Sequence, residues 1–215
     1  MNQVLPIIAG PAYTIRTPRL TLRCHDPAEA PALNRLIEEN LEHLGRWMAW
    51  VDEHPCAVDS MLARLRQFRS RFDQGEDFIY AVADRTSGAL IGGGGLHRRV
   101  GPGALEIGYW IAASHCNRGL ATELTIALTQ VAFEVEHVDR VEIRVAVGNE
   151  PSLRVVEKCG YRREGILRGV IALPRGEKGD AVVSSMLRKE YVAGACPSLA
   201  TEAFDAMGRP ITRTA

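Results

Sequence analysis

Residues 106–124 read EIGYWIAASHCNRGLATEL, and residues 140–168 read RVEIRVAVGNEPSLRVVEKCGYRREGILR. The first stretch continues an alternation begun at Leu105. Leu105, Ile107, Tyr109 and Ile111 stand against Glu106, Gly108, Trp110 and Ala112, the period of a half-buried strand over about 105–112. A polar turn containing Gly119 follows. A helical period then runs over about 119–136, with Leu120, Leu124, Leu128, Val131 and Val135 on one stripe. A strand that turns straight into a helix presents backbone N–H groups without helical acceptors, and the helix dipole adds positive potential there. The expected guest is a diphosphate. The amides of Asn117, Arg118, Gly119, Leu120, Ala121 and Thr122 would hold it, Gly119 permitting close backbone approach. Arg118 or Arg154 would add a charge-assisted contact.

Working outward, the N-terminal part predicts a strand at 20–24. A helix start follows at Asp26-Pro27-Ala28-Glu29, with Asp as N-cap, Pro in the first turn and Glu three residues on. Leu33, Leu36, Ile37, Leu41 and Leu44 then recur at helical spacing, and a second helix covers about 58–72. Strands are expected at 78–83 and 89–97. The glycine run 92–95 in the latter resembles a phosphate loop, but it lacks the following Lys-Ser/Thr and opens no helix. Close backbone packing or a bulge accounts for it better. Downstream come a strand at 140–147, a short helix at 149–158 closed by Gly160, and a hairpin of 161–172 with 181–188. This order gives a mixed α/β sheet dominated by antiparallel neighbours, not the regular alternation of a Rossmann domain. No GxGxxG follows the first strand, which excludes a dinucleotide oxidoreductase. The domain is expected over 13–191, with 192–215 as a tail, mobile or packed on a partner.

The composition fits one compact domain: 215 residues, 46% hydrophobic, enough for a sizeable core. Lys+Arg and Asp+Glu both number 26, so no global field draws the chain to nucleic acid or an anionic membrane. The 5 cysteines form no CxxC pair and no Cys/His cluster with zinc spacing. Reduced thiols in the cytoplasm, with no metal, are the expectation. The opening MNQVLPIIAGPA is broken by Pro6, Gly10 and Pro11 and lacks a basic start, so no signal peptide is expected.

Six segments, in order, carry a resemblance: RTPRLTLR (16–23), HLGRWMAW (43–50), EIGYWI (106–111), RGLATE (118–123), GNEPSLRVVEKCGYRREG (148–165) and SSMLRKEY (184–191). Together they resemble the GCN5-related N-acetyltransferase (GNAT) superfamily, in its RimJ/RimL-type branch that acetylates ribosomal-protein N-termini. The family's pyrophosphate pattern Q/R-x-x-G-x-G/A is met at Gly119 and Ala121, whereas Cys116 replaces the leading Gln or Arg. The resemblance implies a seven-stranded, mostly antiparallel sheet. Its fourth and fifth strands, about 105–112 and 140–147, would splay into a V-shaped cleft. It also implies acetyl-CoA as co-substrate and direct transfer of its acetyl group in a ternary complex. The acceptor would be a protein N-terminal α-amine or a small-molecule amine. The pantetheine arm would pair with the backbone of Tyr109, Trp110 and Ile111, and the thioester would sit near the start of the 149–158 helix. Many relatives pair as homodimers.

An ammonium must lose a proton before it attacks, so a base is needed. Glu106, on the face shared with Trp110, is the candidate for that role and for contact with the acceptor; its bland alternative is a carboxylate paired with an Arg. The thiol-protonating Tyr that many members carry in the 149–158 helix falls on Val156 here. Ser152 instead occupies the thiol-facing position of the branch, or else it is a hydroxyl in the first helical turn. Asn149 is expected as N-cap and as a pantetheine contact. Trp47 and Trp50 would wall the acceptor site, or simply pack in the core. His97 and His115 are lesser candidates for the base, and an acyl-Cys116 is disfavoured. A GNAT-like module that binds acyl-CoA or a partner without turnover is the rival reading; the Cys116 departure and the missing Tyr favour it, while Glu106 and Ser152 oppose it.

Overall fold

A computed structural model of the chain describes residues 11–211. The segment read for a signal peptide lies almost entirely outside them, as do the last four residues of the tail. The elements run β1 (Thr14–Arg16), β2 (Leu20–Cys24), α1 (Ala30–Glu38), α2 (Leu41–Leu44), α3 (Val58–Asp73), β3 (Asp77–Asp84), β4 (Leu90–His97), β5 (Ala104–Ile111) and α4 (Leu120–Glu134). They continue with β6 (Arg140–Ala146), α5 (Glu150–Lys158), β7 (Arg162–Ala172), β8 (Lys178–Leu187), α6 (Arg188–Val192) and β9 (Glu202–Phe204).

These strands form one sheet in the order β7-β8-β6-β5-β4-β3-β2-β1-β9. Every neighbouring pair is antiparallel except β5–β6, whose parallel run is bridged by α4. The described sheet thus has nine strands rather than seven. The two additions, β1 and β9, are three residues each, too short to display alternation.

β9 pairs with β1 from Thr14↔Phe204 to Arg16↔Glu202. Thr201, buried, bonds Gln130 through its hydroxyl at 2.5 Å. Residues 193–211, part of the segment read as a tail, therefore fold back onto their own chain. They occupy an edge of β1 whose backbone groups would otherwise lack partners.

α4 covers one face of the sheet, and its whole expected stripe, Leu120 to Val135, is buried with Leu105, Ile107 and Ile111. Full burial of each such side chain is worth about 1.5–3 kcal/mol. Its buried threonines close their hydroxyls on the carbonyls of the preceding turn, Thr125 on Ala121 and Thr129 on Thr125, both at 2.8 Å. α1 and α3 cover the opposite face with Leu33, Ile37, Met61 and Leu65, and Trp50 and Trp110 pack against them.

The stripe that suggested one helix through Leu44 is split at Asn40. Its amide donates to the Leu36 carbonyl and its side-chain oxygen accepts from the Ala113 N–H, both at 2.8 Å. That buried bond ties the end of α1 to the loop after β5.

The glycines of β4 make room on both faces. A Cβ on Gly94 would stand 3.3 Å from Leu124 and Leu128, and one on Gly93 would stand 2.6 Å from the Trp110 indole nitrogen. Close packing is thus the reason for the run.

Candidate active site

β5 and β6 pair only from Ala104↔Arg140 to Glu106↔Glu142. Beyond that point they diverge, and the β5 edge through Tyr109, Trp110 and Ile111 has no partner strand on that side. The splay opens a cleft whose far wall is the start of α5.

At the cleft mouth the turn before α4 is open to solvent at Asn117, Arg118 and Gly119. Asn117 (φ 60°) and Gly119 (φ 75°) are both left-handed, and no side chain caps α4. Among the described residues the N–H groups from Asn117 to Thr122 have no intramolecular acceptor; the first helical bond is Glu123 N–H to Gly119 O. Alternating backbone handedness gathers such groups into an anion-binding concavity. Arg19 braces the turn by donating to the Arg118 carbonyl at 2.8 Å and to Glu123 at 2.6 Å. Arg154 is exposed on α5 and carries no partner among the described residues. The residues present therefore fit a diphosphate.

Cys116 turns away from this turn. Its Sγ sits 3.6 Å from His43 Nε2 and near the Ile111 and Ala112 carbonyls, and burial pushes its thiol pKa up. The substitution thus costs the turn a side-chain contact but none of its amides, and the thiol is not activated as a nucleophile.

Inside the cleft, Asn149 caps α5 by accepting from the Ser152 N–H at 3.3 Å. Pro151 stands in the first turn, and the Ser152 hydroxyl points toward β5. There the Tyr109 hydroxyl lies 2.8 Å from Ser152 Oγ. Burial pushes the Tyr109 phenol up to about 12, so it stays protonated. The sequence reading gave Tyr109 only a backbone role. Its alternation places the ring on the α4 side of β5, but nothing local reveals that α5 meets it there. Val156, where a phenol was sought, is buried in the core.

On the opposite face Glu106 is 6% exposed. Arg99 donates to both of its carboxylate oxygens, at 3.0 and 2.6 Å, and Arg144 stands 3.9 Å away. Arg144 and Arg140 continue the network onto Glu142 at 2.7 and 3.0 Å. This is the arrangement of the Arg-paired alternative. Trp110 lies on the same face, its ring 6.0 Å from Trp50. Trp47 reaches the turn before α5, 3.9 Å from the Cβ position of Gly148. Asp52, in the Trp-rich segment, accepts from the Arg175 N–H at the tip of the β7–β8 hairpin. Trp47 therefore flanks the cleft, whereas Trp50 is tied into the α1–α3 packing. The His115 ring bonds the Ser114 hydroxyl at 2.9 Å.

The family model for the acetyltransferase (GNAT) domain matches residues 19–162. The chain belongs to the GNAT family. Among relatives of this GNAT protein is YdaF of Bacillus subtilis (strain 168), named "Putative ribosomal N-acetyltransferase". It is 32% identical over 80% of this chain and 93% of its own. A crystal structure described as "Probable acetyltransferase" is 30% identical with a TM-score of 0.76, covering 83% of this chain and 98% of that one. Mycobacterium smegmatis RimJ, solved with CoA-disulfide, is 25% identical with a TM-score of 0.72, covering 82% and 87%. The protein is thus a GNAT-family N-acetyltransferase with a RimJ/RimL-like fold, and acetyl-CoA is its co-substrate. No helix among the described residues is long and apolar enough to cross a membrane.

Proposed function

We propose that the protein moves the acetyl group of acetyl-CoA directly to the α-amine at a protein N-terminus, both substrates being bound together. The observation that carries this reading is the splay. An anion-binding turn opens on one side of it and tryptophans line the other, with the Tyr109–Ser152 hydroxyl pair between them.

The Asn117–Thr122 amides take the diphosphate, with Arg118 and Arg154 alongside. The unpaired edge of β5 at Tyr109, Trp110 and Ile111 takes the pantetheine amides as an added strand would, and Asn149 stands at its end. Ser152, backed by the Tyr109 phenol, supplies a proton to the departing thiolate, which eases collapse of the tetrahedral adduct. Trp47 walls the acceptor channel, with Trp50 behind it.

The relative named for ribosomal N-acetylation, matched over nearly its full length, favours a protein N-terminus as acceptor. A small-molecule amine is the second reading, supported by the neutral charge balance, which gives no pull toward basic ribosomal proteins. Thiol release from acetyl-CoA should be followed with peptides bearing free α-amines and with small primary amines. Faster turnover of the peptides is expected. Preference for a small amine would move the acceptor assignment, and acetyl-CoA binding without turnover on any amine would leave the non-catalytic module.

A further inference from the structure

We infer that His97, held by Asp77, is the group that takes the proton from the acceptor amine, and that Glu106 is a structural carboxylate of the same wall. This rests on the transferase reading above. The observation is a juxtaposition across three strands. His97 Nδ1 lies 2.6 Å from Asp77 Oδ1, and the two side chains are 15% and 19% exposed. Asp77 opens β3 and His97 closes β4, paired directly in the ladder. A carboxylate accepts but does not donate, so the Nδ1 proton is fixed and Nε2 carries the lone pair.

Nε2 points over bare backbone. A Cβ on Gly95 would lie 2.8 Å from it, and one on Gly108 would lie 3.2 Å away. Gly95 and Gly108 are opposite each other on β4 and β5. Their missing side chains leave the imidazole resting on the strand that lines the cleft, on the face of Trp110. Nε2 has no hydrogen-bond partner among the described residues. Glu106, directly across from His97 in the ladder, has both oxygens engaged by Arg99. The charged groups around the imidazole are therefore Asp77 from β3, Glu106 from β5, Arg99 from the loop before it, and Arg144 from β6. A base needs a lone pair within reach of the reacting nitrogen; both Glu106 oxygens are already held by the Arg99 guanidinium, whereas His97 Nε2 is unengaged.

The protons balance as follows. The acceptor ammonium gives one proton to His97 Nε2, which passes it to solvent. The freed nitrogen lone pair forms the C–N bond to the thioester carbonyl carbon, and the C–S bond breaks. The thiolate takes a proton from the Ser152–Tyr109 pair. The second amine proton, lost as the amide forms, restores that pair through water. Net release is one proton per turnover.

The test is the pH dependence of kcat/KM for the amine in the full chain, measured by thiol release with an α-amine peptide. His97→Gln should lower kcat/KM by about 10²-fold or more near neutrality and remove the acid limb of the profile, with acetyl-CoA binding by titration unchanged. His97→Ala, which opens space over Gly95 and Gly108, should regain activity with added imidazole. Asp77→Asn should lower kcat/KM while leaving acetyl-CoA binding unchanged, because the ring loses the carboxylate that orients it. Glu106→Gln should keep an acid limb in the profile, since the base is retained. If His97→Gln keeps the wild-type limb, or imidazole fails to rescue His97→Ala while acetyl-CoA still binds, the assignment is overturned. A wild-type protein that binds acetyl-CoA but turns over no amine would instead remove the transferase reading, and this inference with it.

Discussion

The Tyr109 hydroxyl on β5 and the Ser152 hydroxyl at the start of α5 share one hydrogen bond of 2.8 Å across the mouth of the splayed strands. A phenol that the helix itself lacks is supplied from the neighbouring strand. In the proposed reaction the pair donates the proton that the leaving thiolate takes, and burial keeps the phenol protonated throughout the neutral range.

Removing either member should slow the chemical step more than it weakens cofactor binding. Tyr109→Phe and Ser152→Ala are each expected to lower kcat by about 10- to 100-fold, the share of one proton transfer. Because they act through one bond, the double variant should lose less than the product of the two. Steady-state kinetics alongside acetyl-CoA titration reads both. Fully multiplicative losses would separate the residues.

Gly119 holds a left-handed φ of 75° at the N-cap of α4, with its amide among those left unpaired. Any L residue there is strained by roughly 1 kcal/mol or more. Gly119→Val should therefore raise the dissociation constant of CoA by about tenfold while leaving the far-UV spectrum of the fold intact. Unchanged CoA affinity would dissociate the turn from diphosphate binding.

The C-terminal segment should be part of the stability unit. Gly160 takes φ 81°, and a Cβ there would fall 2.0 Å from the Ala195 carbonyl oxygen. Gly160→Ala would thus push the returning chain away. Truncation after Val192 removes β9 and the Thr201–Gln130 bond. Both variants are expected to unfold at lower denaturant concentration, the truncation by on the order of 2–4 kcal/mol from a lost strand pairing and a buried polar atom left unsatisfied. A truncated chain with the wild-type midpoint would show that the segment packs without stabilising.

His25 gives the fold an acid sensitivity. It is 3% exposed, its Nδ1 has no partner, and burial lowers its pKa to about 4. The unfolded chain binds the proton more readily, so stability is full above the unfolded value of about 6.5 and falls as pH drops toward 4. The loss over that window is on the order of 3 kcal/mol. His25→Phe, beside Phe68, should flatten the dependence between pH 6.5 and 4 in urea titrations; an unchanged slope would place the proton elsewhere.

Elements with local signals were legible from the residues alone. The alternation at 105–111 set a strand with its apolar side toward α4, because side chains alternate with the pleat. Asn149 followed by Pro151 set a capped helix, and the Gly119 turn set unpaired amides, because both depend on the backbone of a few consecutive residues. Which polar groups are free depends on how the elements pack. Arg99 reaches Glu106 across a turn, Asp77 reaches His97 across a ladder, and Tyr109 reaches Ser152 across a cleft. β1 and β9 exist only as partners of each other and of β2. The physical reason is the same in each case. A carboxylate or an imidazole looks alike in every sequence, and its proton affinity and availability are fixed by what the register of neighbouring strands sets within hydrogen-bond distance of it.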